Sequence, residues 1–67
     1  MIRLHLHTSP MLRENVRVKL QYVKRDETHD TIGTIHCSRI VYFRLLDALK
    51  SQFAISTTGK ISHTPAE

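Results

Sequence analysis

The sequence predicts an α+β domain: a small antiparallel sheet of three to four strands with one amphipathic helix packed on one face, in the order β-β-β-α-β. Three observations predict it. Apolar and polar residues alternate with period two over 2–7 and again over 15–22. β-branched residues gather over 31–37, and residues 39–53 carry apolar side chains at helical spacing without glycine or proline.

The first strand has Ile2, Leu4 and Leu6 facing inward and Arg3, His5 and His7 facing outward, because successive side chains of a strand point to opposite faces. Thr8-Ser9-Pro10 ends it, since proline has no amide proton for a ladder, and Met11 to Glu14 is expected to form one helical turn. The second strand spans Asn15 to Lys24. Val16, Val18, Leu20 and Tyr22 share its buried face, and Arg17, Lys19 and Gln21 its wet one.

The polar cluster Asp26-Glu27-Thr28-His29-Asp30 then makes a turn, and Thr31 to Cys37 a third strand, so that strands two and three form a hairpin. Gly33 inside that strand marks a bulge or a close backbone approach. Ser38 stands where an N-cap belongs, ahead of a helix over 39–53. Val41, Tyr42, Leu45, Leu46, Ala48, Leu49 and Phe53 fall on its apolar face, opposite Arg44, Asp47 and Ser51. Ile40 and Phe43 lie near the polar side, either covered by a loop or offered as a contact surface to another protein. Beyond the helix, Phe53-Ala54-Ile55-Ser56 and Lys60-Ile61-Ser62 flank Thr57-Thr58-Gly59 and form one short strand or a small hairpin. Residues 1–62 form a single domain, and 63–67 a frayed tail.

A chain of 67 residues buries only about 60% of its unfolded surface, so its core is small and its stability marginal. With 40% hydrophobic residues and a net charge of +4 it belongs with folded domains rather than disordered tails. One cysteine, Cys37, excludes an intramolecular disulfide and points to a cytoplasmic protein, nuclear in a eukaryote. The polar interruptions of the N-terminus match neither a signal-peptide core nor a membrane span. Charge is segregated. Residues 1–25 hold six cations against one carboxylate, and residues 26–67 hold four against five, so the positive field belongs to the first two strands.

A one-helix sheet leaves one face bare. That face should carry Arg3, His5, His7, Arg17, Lys19 and Gln21, with Lys24 and Arg25 at its rim. Lysine and arginine on an open sheet can follow a phosphate backbone, and arginine or glutamine can reach base edges, so the chain is expected to be a small non-enzymatic module that binds DNA or structured RNA. The face lacks the aromatics that stack single-stranded bases. A purely solvated face fits the same pattern. The alternative function is a protein–protein adaptor, regulator or inhibitor that docks through an edge strand or the helix side bearing Ile40 and Phe43, with a homodimer as one form.

No cofactor, small-molecule substrate or membrane partner is expected. His5 and His7 lie about 7 Å apart on one strand face and His36 offers a third imidazole. However, His36 and Cys37 point to opposite faces, and no Cys-x-x-Cys or His-x3-His spacing exists, so no metal site is expected. Cys37 precedes the helix cap, where a helix N-terminus lowers a thiol pKa, but a lone cysteine without a placed base is expected to be a small core residue. Asp26, Glu27 and Asp30 lack calcium-loop spacing, and Gly33 and Gly59 are too few for a phosphate-cradling loop.

Overall fold

Each period-two run forms a strand. The computed structural model describes residues 1–61, and the expected tail at 63–67 lies outside the described residues. Strands β1 (Arg3–Pro10), β2 (Asn15–Val23) and β3 (His29–Ser38) precede helix α1 (Arg39–Lys50) and strand β4 (Ala54–Gly59). The four strands form one sheet in the order β3-β2-β1-β4. The β1–β2 and β2–β3 pairs are antiparallel as expected, whereas β4 lies parallel to β1 and makes the sheet mixed.

This order decides which face is covered. The chain leaves β3 at one edge and must enter β4 at the other, in the same direction, so the connection has to cross β2 and β1. A 12-residue helix, about 18 Å long, makes that crossing on one face. The other face receives no element among the described residues.

The β1–β2 connection is not the helical turn expected at Met11–Glu14. Arg13 and Glu14 both take positive φ, 61° and 65°, while the Asn15 amide donates to Leu12 O at 3.3 Å. Two consecutive left-handed residues closed by this bond make a mirrored turn, whose twist suits right-twisted strands. Strand β2 joins β3 through Arg25-Asp26-Glu27, with Glu27 left-handed at φ 71° and Lys24 N donating to Thr28 O at 2.9 Å. The Thr28 hydroxyl donates to Asp26 Oδ1 at 2.6 Å and its amide to the same atom at 3.1 Å, which holds the exposed carboxyl below its usual range.

The ladder between β2 and β3 pairs Leu20 with Gly33 and then Gln21 with Thr31, leaving Ile32 as an extra residue. The bulge expected at Gly33 therefore falls beside it. A Cβ added to Gly33 would meet nothing within 4 Å, so no close approach requires the glycine. The extra residue resets the alternation of β3, placing His29 and Thr31 on the same face as Thr34 and His36.

The Ser38 hydroxyl caps the helix, accepting from Val41 N at 3.2 Å, and the helix stops at Lys50 rather than 53. Tyr42 and Leu46 are its buried residues, joining Leu6, Val16, Val18 and Ile61 in the core, with Leu20, Cys37, Phe43, Leu49 and Ile55 packed around them. Phe43 thus faces inward, its ring centroid 5.2 Å from that of Tyr42, while Val41, expected inside, is exposed. Tyr22, expected in the core, lies outside this cluster at the far end of β2 and keeps 42% of its surface in solvent. The segment Thr57-Thr58-Gly59 is strand rather than turn.

Candidate nucleic-acid interface

The strand register lays out the uncovered face as rows running across the sheet. One row reads His36, Arg17, Ser9; the next Thr34, Lys19, His7, Thr58; the third Thr31, Gln21, His5, Ser56. Every side chain in these rows is a cation, an imidazole, a hydroxyl or an amide, and none is a carboxylate. Five of the residues expected at the interface, His5, His7, Arg17, Lys19 and Gln21, are therefore brought together on one surface.

The imidazoles are wired to hydroxyls of β4. His5 Nδ1 lies 2.7 Å from Ser56 Oγ and its Nε2 2.8 Å from Thr58 Oγ1, which in turn lies 2.9 Å from His7 Nδ1. Each hydroxyl has one proton, so the chain His7–Thr58–His5–Ser56 is satisfied when its donors all point the same way. The His29 ring sits 5.0 Å from that of His5. Partial burial, with the nearby His29 and His7 rings, holds the His5 imidazole below its ordinary value.

Two of the other expected cations, Arg3 and Lys24, are engaged elsewhere. Arg3 Nη1 donates to Glu27 Oε2 at 3.0 Å and its Nη2 to Lys24 O at 2.8 Å. Lys24 Nζ lies 3.4 Å from Asp30 Oδ2. Arg25 is exposed in the turn. Arg3, Glu27, His29 and Ser56 line a recess of about 300 Å³ in which Val23 is buried. The face therefore has a neutralised end, at Arg3–Glu27, and a cationic end, at Arg17 and Lys19, while Asp30, the register partner of Tyr22, belongs to the opposite side of the sheet.

Sequence reasoning missed His29, Ser56, Thr58 and Lys60. Only the bulge at Ile32 turns His29 onto this face, whereas Ser56 and Thr58 do alternate with Ile55 and Thr57 and carried a strand signal. Lys60 lines a second recess of about 290 Å³ with His7, Thr8, Ser9, Pro10 and Gly59.

No group of three or more His, Cys, Asp or Glu that could hold a metal occurs among the described residues. Both nitrogens of His5 are taken by hydroxyls, and His36 stands across β2 from β1. Burial pushes the Cys37 thiol up, opposite to the activation a helix N-terminus would give. Of the two apolar residues offered to a protein partner, Ile40 is 68% exposed whereas Phe43 belongs to the core surround, because the helix turns its Tyr42–Leu46 stripe toward the sheet. No described helix is long and apolar enough to cross a membrane. Comparison with protein-family models, with curated proteins and with solved structures yields no match.

Proposed function

We propose that this protein is a small non-enzymatic module that binds the phosphate backbone of DNA or structured RNA across its uncovered sheet face. One observation carries the reading: three successive rows of that face, from Ser9–Arg17–His36 to Ser56–His5–Gln21–Thr31, contain cations, imidazoles and hydrogen-bonding side chains with no carboxylate among them. Arg17 and Lys19 supply the charge that displaces condensed counterions, and the hydroxyls and imidazoles supply hydrogen bonds to phosphate oxygens. Gln21 is the candidate for a base edge. The test is fluorescence anisotropy with a labelled duplex over a salt series. With two or three phosphates neutralised, log affinity should fall against log salt with a slope of roughly −2 to −3. Arg17→Glu with Lys19→Glu should abolish binding while leaving the far-UV CD unchanged. A flat salt response removes the reading.

A second reading, docking on another protein or on a second copy, is favoured by a different observation. The edge strand β3 borders an apolar recess of about 300 Å³ lined by Leu6, Val18, Leu20, Ile35, Leu45 and Leu49. An exposed edge with an apolar groove beside it is the arrangement that accepts an added strand. Sedimentation of the free protein tests self-association: a monomer at every concentration removes the homodimer form.

A further inference from the structure

The ends of β1 and β4 meet in a recess whose shape depends on glycine. Gly59 takes φ 123°, and a Cβ there would collide with the backbone and hydroxyl of Thr8, so β4 presses against β1 more closely than any other residue allows. The Thr8 hydroxyl donates to Thr58 O at 3.3 Å across this contact. Immediately beyond it, His7, Ser9 and Lys60 line a recess of about 290 Å³. Lys19 and Arg17 stand beside it on β2, as the register partners of His7 and Ser9. His7 Nδ1 is held by Thr58 Oγ1, which fixes the ring, while its Nε2 has no partner among the described residues. Among the described residues no carboxylate lines the recess.

We propose that this recess is an oxyanion subsite that seats one phosphate group, bound by His7 Nε2, the Lys60 ammonium and the Ser9 hydroxyl and flanked by Lys19 and Arg17. Three donors of different chemistry belong to residues that line one opening at two strand ends, and two further cations on the neighbouring strand raise the local potential. Phosphate is the group that uses such a set, because its oxygens accept from ammonium, imidazole and hydroxyl together. Lys60 lies outside the rows that define the nucleic-acid face, so the subsite adds a residue that face does not include. The proposal rests on the nucleic-acid reading for the source of the phosphate, and not for its chemistry.

The experiment follows backbone amide and histidine ring resonances of the whole protein by NMR during titration with sodium phosphate, with sodium chloride at matched ionic strength as the control. Parallel titrations use a short self-complementary duplex oligonucleotide with 5′-phosphates and the same duplex oligonucleotide with 5′-hydroxyls. Saturable shifts at His7, Ser9, Gly59 and Lys60, with an affinity on the order of millimolar for phosphate and absent in chloride, are expected. His7→Gln with Lys60→Gln should weaken phosphate binding at least tenfold, with amide dispersion retained, and Arg44→Gln on the helix should leave it unchanged. Shifts that chloride reproduces, or that survive the double substitution, overturn the subsite. The failures are separable. Inorganic phosphate without either oligonucleotide keeps the subsite and sinks the nucleic-acid reading, whereas oligonucleotide shifts at Arg17 and Lys19 that spare Ser9, Gly59 and Lys60 do the reverse. A stronger response to the 5′-phosphate assigns the site to a strand terminus; equal responses assign it to internal phosphodiesters.

Discussion

The guanidinium of Arg3 is joined to the carboxylate of Glu27 at 3.0 Å, and its second nitrogen donates to the carbonyl of Lys24, so the first cation of the chain ties β1 to the β2–β3 turn. Alternation alone places Arg3 on the open face with Arg17 and Lys19. Its partner lies 24 residues away and becomes a neighbour only when the hairpin closes.

Arg3 and Arg17 should therefore separate in their effects. Arg3→Ala should change nucleic-acid affinity less than twofold and lower stability by about 0.2–1 kcal/mol, the range for ion pairs as exposed as this one. Arg17→Ala, which removes an exposed cation with no carboxylate in its row, should weaken binding several-fold at moderate salt with no loss of stability. Anisotropy and urea unfolding of the two variants check this, and equal losses of affinity would show that Arg3 still reaches the ligand.

Gly59→Ala tests the close approach of β4 to β1. A methyl group there meets Thr8 backbone atoms, which belong to the central strand and cannot swing aside, at a φ that L-residues rarely adopt. The cost should exceed about 1–3 kcal/mol, a large share of the roughly 3–10 kcal/mol available to a domain of this length. Gly33→Ala is the control: its Cβ enters open space, so urea midpoints should show little change.

Much of this fold was legible in the sequence because its signals are local. The alternation of Val16 and Val18 with Arg17 and Lys19, the Ser38 cap and the Tyr42–Leu46 stripe each follow from residues within one or two turns of chain. Parallel pairing of β4 with β1 was not legible, because it rests on contacts about 50 residues apart. The phase of β3 was hidden for another reason. One extra residue, Ile32, inverts the faces of everything upstream, and composition does not say which β-branched residue bulges. The candidate site divides along the same line: the face of β1 and β2 could be read from the chain, whereas His29, Thr58 and Lys60 could not be joined to it.

Cys37 should be unreactive. Burial pushes its thiol up where it packs against the core, so little thiolate is present near neutrality. Labelling of the native protein by a thiol-specific disulfide reagent at pH 7 should be slower than labelling of the urea-unfolded chain. Cys37→Ala should leave nucleic-acid binding intact. Faster labelling in the native state would reopen the case for an activated thiol.

The His5 imidazole makes stability depend on pH with a definite sign. Its folded pKa lies below the ordinary value of 6.5, chiefly through desolvation and then through His29 and His7. Above 6.5 both the folded and the unfolded chain hold it neutral, and the shift has no effect. As pH falls through 6.5 the unfolded chain takes up a proton that the folded chain resists, so stability declines until the lowered folded pKa is reached, and then levels off. The ring is only partly buried, so screening keeps the effect to a fraction of the buried-group range. His5→Gln keeps a side chain able to bond Ser56 or Thr58 and cannot titrate. The difference in urea midpoint between wild type and His5→Gln should therefore be constant above pH 7 and move in favour of the variant between pH 6.5 and 5. A difference that stays constant across both ranges would show that His5 titrates alike in the folded and unfolded chains.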